Sequence, residues 1–164
     1  MGDPAIDQHG HERDPDASRF LAHVEQRCET DGLRLTPIRR QVLKAVAERA
    51  GPIRAYELQH ALSSSARTLA PMTVYRALNF LVEHGFVHAL QTINAFVRAM
   101  PDAPVSLYLI CRQCGAIAPA GARVVDAAVV DAVEAAGFQS DKMPLEVLGL
   151  CGSCRVGPEA APDC

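Results

Sequence analysis

The chain has 164 residues, 49% of them hydrophobic and 5% aromatic with no Trp, which allows an aliphatic core in one or two small domains. No stretch approaches the roughly 18 apolar residues of a membrane span, and the acidic, His-containing start (Asp3, Asp7, His9, His11) is unlike a secretory signal, so a cytoplasmic protein with no membrane partner is expected. The net charge of −3 hides a partition: residues 1–17 hold one Arg against five acids, residues 18–100 eleven Lys and Arg against six acids, and residues 101–164 four against eight. The basic middle suits a polyanion, although a solvated basic face would carry the same charge.

Residues 1–17 are polar, contain Pro4 and Pro15, and read as a disordered tail in which His9 and His11 are solvated. From Ser18, a candidate N-cap, Phe20, Leu21, Val24 and Cys28 recur at helical spacing, with Cys28 as a packed core thiol. After Asp31-Gly32, Thr36 followed by Pro37 starts a second helix. Val42, Leu43, Val46 and Ala47 form its inner stripe, Arg39, Arg40 and Lys44 face out, and Gly51-Pro52 stops it. A short helix follows from Ala55 to Ser63, with Leu58 and Leu62 inward and Tyr56 near its start, and Ser63-Ser64-Ser65 forms a loop. Pro71 to Val82 is the most informative helix: Val74, Leu78 and Leu81 point inward, Thr73 and Arg76 lie on the other face near its N-terminus, and Gly85 ends it. Phe86–Leu90 and Ala95–Arg98 are short β-type runs separated by a turn around Thr92–Asn94.

Helices followed by a β-hairpin give the order of a winged helix-turn-helix domain over residues 18–100. In such domains the recognition helix enters the major groove N-terminal end first. Arg76 can donate two hydrogen bonds to a guanine edge, and Tyr56 or Thr73 can reach a base or a phosphate. Tyr75, Arg39 and Arg40 complete the DNA-facing set, although an ordinary amphipathic surface would also account for Tyr75 and Arg76.

Pro101 and Pro104 mark a hinge at residues 101–104. A second domain, residues 105–155, then reads as a strand from Ser106 to Ile110, a strand at Ala116–Ala118, a helix from Val124 to Ala136 ended by Gly137, and a strand from Pro144 to Leu150. Residues 156–164, with Cys164, form a tail. The knuckles Cys111-Arg112-Gln113-Cys114-Gly115 and Cys151-Gly152-Ser153-Cys154 each place two thiols two residues apart, with Gly115 and Gly152 to ease tight turns. Four thiolates on one point match a closed tetrahedral Zn²⁺ site, with a single iron as the alternative metal. A unit of about 60 residues needs such a staple. Redox chemistry at these pairs would want a strand-to-helix turn in a βαβ pattern, and disulfides an oxidising compartment. The Ala- and Val-rich helix leaves apolar surface for a partner subunit. No paired-carboxylate motif, nucleophile–base constellation or phosphate loop points to an enzyme, and no small-molecule substrate is expected beyond a metal ion. The expected fold class is α+β: an N-terminal winged helix-turn-helix plus a small α/β domain stapled by zinc.

Arg34-Leu35-Thr36-Pro37-Ile38-Arg39, Ala55-Tyr56-Glu57-Leu58, Thr73-Val74-Tyr75-Arg76-Ala77-Leu78, Gly85-Phe86-Val87-His88 and the two knuckles together resemble the ferric uptake regulator family, most closely its zinc uptake branch, over residues 18–154. The resemblance implies a homodimeric, metal-responsive repressor on a palindromic operator, with residues 105–155 as the dimerisation unit and Tyr56 and Arg76 at base-reading positions. A thiol-redox regulator and a zinc-ribbon protein adaptor are the rival readings. The resemblance also implies a regulatory site at the hinge, made from a His on the first wing strand, a Cys at the end of the second, a His before the first knuckle strand and an acid after that knuckle. His88 matches the first. The others fall at Ala99, at residues 104–106 and at Pro119, none of which is a ligand. The expectation is a regulatory site rebuilt from His84, His88, Asp102 or the N-terminal His residues, or else lost, with the Pro-containing hinge partly pre-setting the dimer.

Overall fold

The computed structural model describes residues 15–49, 51–63, 69–99, 107–120, 129, 131–138 and 144–156. Two compact units divide the chain: Met1–Val87 with Asn94–Arg98, and His88–Ile93 with Ala99–Cys164. The hinge at 101–104, the loop positions Ser64 and Ser65, residues 1–14, Asp102 and Cys164 lie outside the described residues.

Helices α1 (Pro15–Thr30), α2 (Pro37–Ala47), α3 (Ala55–Leu62) and α4 (Pro71–Glu83) build the first unit. The first begins three residues before the Ser18 cap expected from sequence. Pro15 tolerates the first helical position because its missing N–H needs no partner there, and Ala17 is buried, so residues 15–17 belong to the helix rather than to a tail. In α2 the Thr36 side chain accepts the Arg39 N–H at 3.5 Å and Pro37 opens the helix. That helix stops at Ala47, with Glu48 as C-cap, short of Gly51-Pro52. The third runs to Leu62, and Glu57 accepts the Arg54 backbone N–H at 2.8 Å at its start. The fourth ends as its sequence requires: Gly85 takes φ +71°, and Phe86 N–H bonds to Leu81 O at 2.8 Å.

The inward stripes interlock. Val24, Val42, Leu43, Val46, Leu58, Val74, Leu78 and Leu81 are buried, as 3.6-residue periodicity demands. Each such side chain contributes about 1.5–3 kcal/mol on burial. Helix α2 packs against α1, α3 and α4, and α3 packs against α4. The segment after α3 is drawn back onto it, with Gln59 Nε2 donating to Leu69 O at 2.9 Å and Leu69 N–H donating to Ser63 Oγ at 3.1 Å.

Strands β1 (Val87–Leu90) and β2 (Ala95–Arg98) form a two-stranded sheet, with a 3-10 turn at Gln91–Ile93 and Asn94 at φ +49°. Asn is among the few non-glycine residues that tolerate this conformation. Phe96 pairs with Ile53 through N–H···O bonds of 2.9 and 2.8 Å, and β2 packs on α2.

The second sheet has the order β4 (Ile117–Ala120), β3 (Leu107–Cys111), β5 (Leu145–Gly149). Strands β3 and β4 are antiparallel, while β3 and β5 are parallel with Cys111 opposite Gly149. Parallel neighbours need a long crossover. The described helical part of it, α5 (131–135), ends at Gly137 with φ +72°, where Phe138 N–H reaches Val133 O at 3.0 Å. A short helix, α6 (Gly152–Val156), follows β5.

Leu78 is fully buried where α4 meets the other helices, so Leu78→Ala is expected to lower stability by about 2–5 kcal/mol. Urea unfolding followed by circular dichroism measures this.

Candidate metal centre and nucleic-acid interface

Parallel pairing of β3 and β5 brings the C-terminal ends of both strands to one end of the sheet, and each end carries a knuckle. The first knuckle turns from β3 into β4. Gly115 N–H bonds to Cys111 O at 2.9 Å, and Gly115 takes φ +74°, where most other residues would be strained. The second is built differently from the tight turn expected. Gly152 does not adopt a positive φ; it opens α6, with Cys151 just before that helix and Cys154 within it. Helical geometry suffices to aim Cys151 and Cys154 at a common point, and Arg155 N–H closes on Cys151 O at 2.9 Å.

The sulfur atoms of Cys111, Cys114, Cys151 and Cys154 all lie within 4.8 Å of one another. Cys114 and Cys151 sulfurs are 3.7 Å apart. A tetrahedral zinc with Zn–S bonds of about 2.3 Å requires sulfur separations of about 3.8 Å. The donor set therefore fits a closed zinc site. The surrounding backbone favours thiolate: N–H groups of Cys114, Cys151 and Gln113 aim at the Cys111 sulfur and hold its thiol down to about 6. Cys154 is pushed up to about 12, first by its hydrogen bond to the Cys151 side chain and then by desolvation. Cys28 is buried on α1 as the helical spacing predicts, with its thiol raised first by burial.

Among the described residues no second group of three or more metal-ligating side chains forms, and neither His84 nor His88 joins one. His84 caps α4, with its ring 4.5 Å from that of Phe80. His88 is half-buried on β1, and its Nδ1 lies 3.2 Å from the Tyr108 hydroxyl of β3. Burial holds its imidazole below the ordinary value.

The other candidate surface lies on α3 and α4. Tyr56 is 61% exposed, Met72 61% and Tyr75 41%, and Arg76 is exposed while Thr73 is half-buried. No acid and no side-chain cap occupies the first turn of α4, whose N-cap is Ala70, so that helix end keeps its positive character. Arg39 and Arg40 are already engaged within the unit. The Arg39 guanidinium sits 3.6 Å above the Phe80 ring of α4 and donates to Arg34 O at 2.6 Å. Arg40 pairs with Glu25 of α1 at 2.9 Å. Arg54, absent from the sequence-derived set, places its Nη1 3.4 Å from the Tyr56 hydroxyl and sets a cation beside that exposed phenol. A basic residue two positions before Tyr56 was the available signal.

The family model described as the ferric uptake regulator family matches residues 30–148. The chain belongs to that family. It is 36% identical over 138 residues to the zinc uptake regulation protein of Escherichia coli (strain K12), spanning 82% of this chain and 81% of that one. A solved zinc uptake regulator complexed with zinc and DNA superposes with a TM-score of 0.73 at 33% identity, covering 87% of this chain and 97% of that one. A crystal structure of holo XcZur gives a TM-score of 0.69 at 40% identity, covering 85% and 99%. Among the described residues, the four-thiol cluster and the exposed face of α4 are features with chemistry to offer.

Two outcomes follow from the geometry. Cys114→Ser is expected to drop zinc content from about one per chain to well below half, because closed zinc sites need all four ligands; metal analysis after gel filtration measures it. A buried neutral His88 contributes stability that is complete above its ordinary value of about 6.5 and is lost as the pH falls below it through the lower folded value. His88→Gln, which can still bond Tyr108, should lose less thermal stability than the parent between about pH 7 and about pH 5.

Proposed function

We infer that the chain is a zinc-dependent transcriptional repressor that binds DNA as a homodimer. The observation that carries this reading is the joining, in one chain, of a helical unit whose α4 exposes Tyr75 and Arg76 to a four-thiol cluster of zinc spacing, in a fold that matches a zinc uptake regulator complexed with zinc and DNA. The roles follow residue by residue. Tyr75 and Arg76 on α4, with Thr73 beside them, read base edges or phosphates in the major groove, and Tyr56 approaches from the start of α3. Arg39 and Arg40 brace α2 against α4 and α1 and add positive charge to the DNA-binding unit. Cys111, Cys114, Cys151 and Cys154 hold zinc as a structural ion that closes β3, β4 and α6 into one unit.

The dimer has a surface to form on. Ala118, Leu109 and Val147 stand side by side across β4, β3 and β5. Leu109 is 43% exposed and Val147 49%, on the sheet face opposite the buried Tyr108 and Ile110. A second copy covering this strip buries apolar area that a single chain leaves to water. Two copies then present two recognition helices to the two halves of a palindromic operator. We place the protein in the cytoplasm, where DNA and reduced thiols are found, and assign it no catalytic activity. Among the described residues no helix is long and apolar enough to cross a membrane.

Duplexes enriched from a random-sequence pool by the wild-type chain supply the probe. Arg76→Ala should weaken binding to them by about 1–3 kcal/mol per half-site and relax the preference at the contacted base. Fluorescence anisotropy titration measures the loss, and an Arg76→Ala chain that binds and discriminates like the parent rejects this reading in favour of a protein-binding adaptor.

A further inference from the structure

The turn of the β1–β2 hairpin is held by a side chain that neither the zinc centre nor the DNA-facing set uses. Glu146, half-buried on β5, accepts the Gln91 backbone N–H through Oε1 at 2.7 Å and the Thr92 backbone N–H through Oε2 at 3.0 Å. A 3-10 turn leaves its first N–H groups without partners inside the turn. One carboxylate satisfies two consecutive donors here, and hydrogen bonds to a charged acceptor are about twice as strong as neutral ones. The partners are 55 and 54 positions apart in sequence, so no local preference produces the contact.

A second tie runs beside it, from His88 of β1 to Tyr108 of β3. Both receiving strands lead into the thiol cluster, since β3 ends at Cys111 and Cys151 follows β5. The hairpin itself leaves the recognition helix directly after Gly85. Its second strand is anchored elsewhere, through Phe96 to Ile53, just ahead of α3, and by packing on α2. The turn between these strands is therefore the point at which the chain's DNA-facing helices are followed by a segment clasped from the sheet that carries the zinc thiols.

We propose that Glu146 is a positioning residue for DNA binding: its carboxylate holds the Gln91–Thr92 turn of the wing against the zinc-bearing sheet and so sets the hairpin that follows the recognition helix. The proposal rests on the DNA-binding reading above. It makes a prediction whose sign separates it from a bystander role. An acid on a DNA-binding protein repels the phosphate backbone, so removing an idle one leaves affinity unchanged or raises it. Removing a positioning acid lowers it.

The test uses the full-length, zinc-loaded protein and a labelled duplex enriched from a random pool by the parent chain. Glu146→Gln keeps the side-chain size but places an NH₂ group where an acceptor stood, so both bonds cannot survive. It should bind the duplex roughly five- to a hundredfold more weakly, the range of coupling between linked elements. Zinc per chain and dimer mass should match the parent, and amide exchange at Gln91 and Thr92 should quicken. Glu146→Ala, which introduces no competing donor, should behave alike. Equal or tighter binding by both variants overturns the proposal while the DNA-binding reading stands. Weaker binding accompanied by loss of zinc or of the dimer also overturns it, because Glu146 is then needed merely for folding. A parent chain that enriches no duplex removes the DNA-binding reading, and the proposal with it.

Discussion

The parallel pairing of β3 with β5 is the constraint on which the second unit depends. Two knuckles about 40 residues apart meet because parallel strands finish at the same end of a sheet, and Cys111 stands opposite Gly149, two residues before Cys151. The pairing and the thiol cluster support each other: Arg112 N–H bonds to Gly149 O at 3.0 Å and Cys151 N–H to the Cys111 sulfur at 3.4 Å. A three-stranded sheet with this much exposed apolar surface is marginal alone. A metal closing four thiols and a partner covering the Leu109–Val147 strip are the two reinforcements its composition calls for.

The first unit needs no such staple. Its four helices bury a continuous apolar core in which Phe20 and Phe80 join the aliphatic side chains, and α2 is the element that α1, α3 and α4 all touch. Arg39 shows how a charged residue serves packing: its guanidinium sits over the Phe80 ring and donates to the Arg34 carbonyl, so α2 holds α4 through this contact as well as through its core stripe. Tyr75 and Arg76 stay exposed because α4 commits Val74, Ala77, Leu78 and Leu81 inward, and the two fall on the opposite side of a 3.6-residue period.

Much of this was legible in the residues. Thr36-Pro37, Pro71 and Gly85 mark helix ends by local chemistry, and the inner stripe Val42, Leu43, Val46 and Ala47 follows from period alone. Other features were not. Pro15 rather than Ser18 starts α1, because burial of Ala17 outweighs a capping preference. Gly152 opens a helix instead of turning, since two cysteines three apart converge as well on a helix as in a turn. Tyr108 as the partner of His88, and Arg54 as the partner of Tyr56, needed coordinates. His84 and His88 are candidate metal ligands by sequence, but the ring of one packs on Phe80 and the other faces a phenol, contacts that proximity in sequence does not reveal.

The sequence by itself determined the local elements and their chemistry: helix limits set by Pro and Gly, which faces are apolar, and two thiol pairs whose spacing wants zinc. Each depends on neighbours within a few residues, and local propensity acts at that range. The tertiary structure decided what long separations bring together: the strand order that unites the four thiols, the exposed strip a second copy can cover, the Arg39–Phe80 stack, and the Glu146 carboxylate on the wing turn. Such contacts form only after loop closure over tens of residues, and no pattern in the chain records which partner that closure selects.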